Sequence, residues 1–217
     1  MSSLPYFLEA CCTSLDELRL AQAGGASRIE LCEDLSCGGI TPSPELLKAV
    51  LRETRVPVNV LVRPAPAVRD GSVAAFVLSE EDKDLLIRQI AECKEAGAEG
   101  IVAGGLLPDG AVDVPLLRRI TAAASPLPVT FHKAFDACTD PFRALEDIIS
   151  AGCVRILTSG CAPTALEGAG RLAELIRKAG GRIIIMPGGH IRPDNIPLII
   201  DRTNASEYHA SAAFFIK

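Results

Sequence analysis

Aromatic residues are scarce in this sequence, which has no tryptophan, two tyrosines and seven phenylalanines among 217 residues. The hydrophobic core must therefore rest on leucine, isoleucine, valine and alanine, as is typical of a parallel sheet covered by helices. Basic clusters are also missing, and the formal net charge is -5. Because phosphate contacts need clustered lysine and arginine, the composition argues against a nucleic-acid partner.

Long apolar runs are absent as well. No stretch of about 18 or more uninterrupted apolar residues occurs, so we predict no membrane span. Residues 1–6 lack the basic and then apolar pattern of a secretory signal. We therefore expect a cytoplasmic protein without a membrane partner.

The eight cysteines include no pair spaced C-x-x-C, which leaves the usual structural zinc site and the thioredoxin-like motif without support. A chain of this length, without a secretion signal, is expected to keep its thiols reduced in the cytosol. The cysteines are thus candidates for core packing or for binding a soft metal ion.

Strand-like and helix-like segments alternate along the whole chain, separated by short turns rich in glycine or proline. Strands are predicted at 6–11, 28–32, 57–62, 100–103, 129–135, 154–158, 182–186 and 207–212. Helices are predicted at 15–23, 44–54, 79–96, 114–124, 141–151, 162–179 and 193–201.

Strict alternation predicts parallel strands joined by right-handed crossovers, and eight such units favour a closed barrel. We therefore predict a single α/β domain over residues 1–217, a TIM-type (β/α)8 barrel. An open doubly wound sheet is the alternative. The chain stops soon after the eighth strand, so the last helix is expected to be absent or short, with the seam left open or covered by another segment or subunit.

Polar residues at alternate strand positions share one face of the barrel wall. The first, second and last strands are neighbours in a closed barrel, so their polar residues should converge at the C-terminal mouth. The candidates on these and two further strands are Glu9, Cys11, Glu30, Cys32, Arg63, His132 and His209.

Cys11 and Cys32 are the most specific pair among them. Adjacent strands lie roughly 4.8 Å apart, so two thiolates can share a soft cation, and Cu(I) prefers such ligands. Nearby Glu9 and Glu30 would oppose thiolate formation, whereas Arg63 or a protonated histidine would favour it. The simpler alternative is that each cysteine packs as a small hydrophobe and each glutamate pairs with Arg63 or a backbone group.

The same mouth is also typical of an enzyme acting on a small, anionic and possibly phosphorylated metabolite. Its catalytic machinery would be Glu9, Glu30, Arg63, His132 and His209. Glycine-rich turns end the sixth and seventh strands, where backbone N–H groups can face an anion. The predicted anion-binding residues are Ser159, Gly160, Gly188 and Gly189.

Two charged residues follow the fifth strand. Lys133 lies on the opposite face from His132, so we expect it to form a salt bridge at the end of the barrel, although a Schiff base is an alternative. Asp136 is expected to orient one of the two.

Several segments together resemble the CutC family, described as copper homeostasis proteins. The most specific are IELC, GGITPS, FH-x-AFD, LTSG and E-x-HAS, which occur in order over nearly the whole chain. The resemblance implies a TIM-type barrel, cytosolic copper binding with Cys11 and Cys32 as ligands, and a homo-oligomer. The chain departs from the family pattern at Lys133, which replaces an arginine, in residues 64–71, and in its early end.

Two functions are therefore predicted. The first is a cytoplasmic protein of copper homeostasis that binds Cu(I) through Cys11 and Cys32. The second is an enzyme for a small anionic metabolite. A scaffold without a ligand would leave the polar residues of the mouth unexplained.

Overall fold

A computed structural model describes residues 4–64 and 70–216. Eight parallel strands form one sheet that curls into a ring in the order β7-β6-β5-β4-β3-β2-β1-β8. They are β1 (Phe7–Cys12), β2 (Arg28–Leu31), β3 (Val58–Leu61), β4 (Gly100–Ala103), β5 (Val129–Phe131), β6 (Arg155–Thr158), β7 (Ile184–Pro187) and β8 (Glu207–Ser211).

Seven α-helices alternate with these strands in the described residues. They are α1 (Leu15–Ala23), α2 (Pro44–Glu53), α3 (Glu80–Ala96), α4 (Val114–Ala124), α5 (Pro141–Ser150), α6 (Ala169–Ala179) and α7 (Ile196–Thr203). A short 3-10 helix, Ala212–Phe215, follows β8 where an eighth α-helix would stand. The predicted TIM-type barrel is therefore confirmed.

The ring closes between β7 and β8, where a single parallel bridge joins Gly188 and His209. Glycine suits position 188, because a side chain there would displace the end of Leu157 and crowd His209. The open doubly wound alternative is wrong, since an open sheet would leave β7 and β8 apart.

Local sequence signals explain where the helices begin. The side chain of Ser14 accepts the Glu17 N–H ahead of α1, and Ser43 does the same for Leu46 ahead of α2. Such caps satisfy backbone donors that have no partner inside the helix. α3 ends at Ala96, and the φ of 103° at the following residue, Gly97, favours glycine.

Two predicted elements differ most from the structure. The helix predicted from residue 162 begins only at Ala169, because the Ser159 hydroxyl donates to the Ala162 carbonyl and the Ala165 N–H donates to Gly189. The strand predicted through residue 135 ends at Phe131, because the His132 side chain caps the 3-10 helix Lys133–Ala137.

The apolar residues divide into two groups. The larger core lies between the sheet and the helices, and a smaller group inside the barrel consists of Cys11, Cys32, Leu61 and Val102. Residues 65–69, which hold most of the segment that departs from the family pattern, lie outside the described residues. No helix of the described part combines the length and apolar character that a bilayer crossing requires.

Candidate functional site

Charged side chains fill the lower half of the barrel, near the start of its strands. Arg28 opens β2 and donates to Glu9 at 2.5 Å and to Glu207 at 2.6 Å. Arg155 opens β6 and donates to Glu207 at 2.6 Å and to Thr130 at 3.0 Å. These buried pairs form a connected network, as buried charges require.

The alternative in which a glutamate pairs with Arg63 does not hold for Glu9. Glu9 pairs with Arg28 and not with Arg63, and it also accepts from Asn59 at 3.2 Å. Arg28 and Arg155 are not among the site residues predicted from the sequence. Strand alternation could have identified them. Arg28 lies two residues before Glu30 on β2, and Arg155 lies two residues before Leu157 on β6, so both occupy inward positions.

His209 connects this network to the mouth. Its Nδ1 lies 2.8 Å from Oε1 of Glu9 and 3.5 Å from Oε2 of Glu30. Although burial alone raises the pKa of Glu9, the hydrogen bond from His209 and the charge of Arg28 lower it to about 2. Burial lowers the pKa of His209, but the Glu30 charge and the Glu9 hydrogen bond bring it well above the ordinary value. His209 is therefore a cation held between two carboxyl groups.

Cys11 and Cys32 meet above this histidine, as predicted. Their Sγ atoms are 3.5 Å apart, and both thiols are free. A sulfur of Cys11, a carboxylate oxygen of Glu30 and a ring nitrogen of His209 all lie within 4.8 Å of one another. One sector of the barrel therefore offers sulfur, oxygen and nitrogen ligands around a single point.

Burial and hydrogen bonds shift the pKa values of Glu30 and Cys11. Burial raises the pKa of Glu30 to about 7, and its buried Oε2 has no hydrogen-bond partner among the described residues. The hydrogen bond to Cys32 and burial raise the pKa of Cys11 well above its usual value, against the opposing hydrogen bond from His209. The site thus holds protons that a bound cation would displace.

A cavity of about 640 Å³ opens above the cysteines at the C-terminal mouth. Cys11, Glu30, Cys32 and His209 form one wall. The other described lining residues include Arg63, Phe76, His132, Lys133, Asp136 and Ser159. Its volume falls in the range of small-molecule pockets, roughly 300 to 1,000 Å³.

Arg63 lies in the wall of this cavity and is buried. Its Nη1 donates to the carbonyls of Cys37 and Gly39 at 2.9 and 3.0 Å, and its Nη2 donates to Ala75 at 3.2 Å. No carboxylate of the described residues pairs with it, and burial lowers its pKa. It is a carbonyl-anchored cation rather than half of an ion pair.

His132 stands beside Arg63 in the same wall. Its Nδ1 accepts the Ala134 N–H at 3.3 Å, which makes the neutral ring a donor at Nε2. Burial and the charge of Arg63 lower the pKa of His132 to about 3. The ring packs 5.5 Å from that of Phe76, over which the Arg63 guanidinium also lies.

The glycine-rich turn after β6 binds the side-chain carboxylate of Asp136. Asp136 accepts the backbone N–H groups of Ser159 and Cys161, each at 3.0 Å. The N–H groups of Gly160 and Gly188 donate to the side chain and the carbonyl of Thr158.

Ser159, Gly160, Gly188 and Gly189 were predicted to bind an anion through their backbone amides. The amides of the first three are engaged within the protein, so they present no vacant cradle for a phosphate. Lys133 forms the expected salt bridge, with its Nζ 3.0 Å from Asp136.

The remaining cysteines lie partly in the core and partly near the mouth. Cys12, Cys93 and Cys153 are buried in the larger core. Cys37 lines the cavity, whereas Cys138 and Cys161 lie near Asp136 outside its described lining.

Known proteins match nearly the whole chain. A family model described as the CutC family matches residues 6–214. A CutC family protein of Parabacteroides distasonis is 45% identical over 206 residues, covering 94% of this chain and 82% of the relative. A Homo sapiens protein named copper homeostasis protein cutC homolog is 42% identical over 207 residues, covering 95% and 73%.

Solved structures agree on the fold. A crystal structure described as a CutC copper homeostasis protein from Streptococcus agalactiae has a TM-score of 0.86 at 27% identity, covering 94% of this chain and 98% of the other. An aldolase has a TM-score of 0.67 at 18% identity, with coverage of 97% and 91%. The second likeness extends to the barrel fold alone.

Proposed function

Because the chain belongs to the CutC family, we propose that it acts in copper homeostasis by binding Cu(I) through Cys11 and Cys32. The single observation that carries the proposal is the 3.5 Å separation of the two sulfurs beneath an open cavity. Copper is the cargo of this site. A cytoplasmic location and a homo-oligomeric state, both expected from the family resemblance, belong to the same proposal.

The donor geometry supports a bent rather than a linear Cu(I) site. Metal–thiolate bonds are about 2.3 Å for zinc, so sulfurs on opposite sides of a similar ion would stand about 4.6 Å apart. The observed 3.5 Å leaves one side of the ion open for a third ligand. His209 or Glu30 is placed to supply it. Two thiolates with one nitrogen or oxygen donor suit a soft cation.

A Cu(I) titration against a competing chelator tests this site. We expect Cys11→Ser and Cys32→Ser each to weaken binding at least about tenfold, because each removes a soft thiolate ligand. Affinity should also rise with pH, since binding displaces a proton from the Cys11 thiol.

Cys93→Ser is the matched control, because Cys93 is equally buried but lies on α3 away from the mouth. Its affinity should equal that of the wild type. Unchanged affinity in both mouth variants would remove these cysteines as ligands.

A second function is favoured by Glu30. A buried carboxyl group with a pKa of about 7, facing a cavity of about 640 Å³, is suited to take or give a proton at neutral pH. An ion alone would leave most of this space to water. We therefore propose, as the second candidate, an enzyme that moves a proton on a small anionic metabolite.

Exchange of carbon-bound hydrogen for deuterium in D₂O tests the second function. We expect one or more small 2-oxo or 2-hydroxy acids to exchange faster with the protein present, and Glu30→Gln to reduce the rate by about 100-fold or more. NMR spectra of the acids measure the exchange. Glu45→Gln, on the exposed side of α2, should keep the wild-type rate. An equal rate in Glu30→Gln would exclude Glu30 as the base.

A further inference from the structure

The cavity holds a buried positive charge that the described chain does not neutralise. Arg63 is only 6% exposed, yet its three hydrogen bonds go to backbone carbonyls and none to a carboxylate. Burying a charge without an opposite charge costs free energy, so such a group needs a reason to be there. An anion that enters the cavity would provide the missing partner.

Arg63 has donors to spare for that anion. A guanidinium carries five N–H groups, and three of those of Arg63 are used by the carbonyls. The Nε–H is among those without a partner in the described residues. Elsewhere in this chain, Arg19 and Arg155 use Nε together with Nη2 to grip a carboxylate. In Arg63, Nη2 donates one hydrogen bond to the Ala75 carbonyl. Its second N–H and the Nε–H have no partner among the described residues and can bind a ligand.

His132 adds a neutral donor beside this charge. The backbone N–H of Ala134 occupies Nδ1, so the proton of the neutral ring is on Nε2, which has no partner among the described residues. Burial and the charge of Arg63 lower the pKa of His132 and keep the ring neutral, and a neutral donor next to a cation suits a ligand oxygen with negative charge.

Glu30 lies on β2, next to the strand that leads to Arg63, and it lines the same cavity. The Glu30 Oε2 atom is buried and accepts no hydrogen bond from the described residues, although His209 Nδ1 lies 3.5 Å away, and its carboxyl group lines the cavity together with the cysteines. A buried carboxyl oxygen that accepts no hydrogen bond can accept one from the ligand. The ligand should therefore carry an anionic group toward Arg63 and a hydroxyl group toward Glu30.

We infer that the cavity binds a small hydroxy carboxylate, with its carboxylate at Arg63 and His132 and its hydroxyl at Glu30. A carboxylate fits better than a phosphate, because the amides of Ser159, Gly160 and Gly188 are already engaged. The inference rests on the second proposed function and names its ligand class.

Glycolate is the probe that tests this assignment, compared at constant ionic strength with acetate and with ethylene glycol. Binding is measured by thermal shift and by the ring signals of the three histidines. Glycolate should bind most tightly, acetate more weakly and ethylene glycol not at all. The ring N–H signal that disappears in His132→Gln should move on adding glycolate.

Arg63→Met should weaken glycolate binding at least about tenfold, the loss expected for hydrogen bonds to a charged group. Methionine fills a similar volume without a charge, and unfolding without ligand checks that the variant folds. His132→Phe should weaken binding as well. Arg88→Met, on the exposed face of α3, is the matched control and should bind like the wild type.

Each outcome has a distinct meaning. Glycolate binding that survives in both Arg63→Met and His132→Phe would overturn the subsite while leaving the second function in place. Binding lost in both variants without proton exchange on any acid would support the subsite and remove the second function. If none of the probes binds, the inference is wrong, and the separate Cu(I) titration is unaffected.

Discussion

Replacing Arg28 with alanine is expected to lower the free energy of unfolding by about 3 to 5 kcal/mol. The guanidinium is 7% exposed and pairs with the carboxylates of Glu9 and Glu207. Its removal leaves both carboxylates buried with less opposing charge and opens space inside the barrel. Urea unfolding followed by circular dichroism measures the loss.

Arg19→Ala is the matched control for this variant. Arg19 forms an ion pair of the same length with Glu53, 2.5 Å, but on the exposed surface. Exposed pairs contribute little, because water and salt screen them and the side chains lose freedom on pairing. The unfolding midpoint of Arg19→Ala should therefore barely move. Similar losses in the two variants would contradict the structural role given to Arg28.

Replacing Glu30 with glutamine is expected to stabilise the protein at pH 8 by on the order of 2 to 3 kcal/mol. Burial raises the pKa of Glu30 from 4.5 to about 7, so the folded protein binds this proton more tightly than the unfolded chain. The stability that the proton contributes is complete below pH 4.5 and is lost as the pH rises through about 7. Glutamine keeps the shape and never ionises.

The dependence of this stability difference on pH tests the assigned cause. The stability difference between Glu30→Gln and the wild type should be small at about pH 4, grow through the window between the two pKa values, and level off above about pH 8. Unfolding curves at several pH values, in constant salt, measure it. Glu45→Gln should show no comparable growth, because Glu45 is exposed. A difference that shrinks with rising pH would mean that Glu30 is stabilised as an anion.

The barrel was predictable because each repeat carries its own signals. Val58–Leu61 is a short buried strand, and Glu80–Ala96 is a helix whose start and stop are both marked in the sequence. The sixth helix was predicted seven residues too long. Its early part, residues 162–168, has an ordinary helical composition, but contacts from Ser159 and Gly189 on distant turns hold it in another conformation.

The site was predictable where strand alternation decides it. Glu9, Cys11, Glu30 and His209 converge because they occupy inward positions on three neighbouring strands. The choice of partners was not predictable, because it depends on how far the strands are shifted along one another. This shift places Arg28 beside Glu9, whereas Arg63 contacts backbone carbonyls. The alternation of residues along a strand does not determine the shift.

The bridge between Gly188 and His209 has a consequence for motion. Only this one bridge pairs the seventh and eighth strands in the described residues, and His209 is also a candidate metal ligand. Local opening at β8 must therefore disturb the site, and any occupant that restrains His209 must oppose that opening. Amide protons along β8 should accordingly exchange with solvent more slowly once the site is filled, while those of β4, on the far side of the ring, should keep their rates.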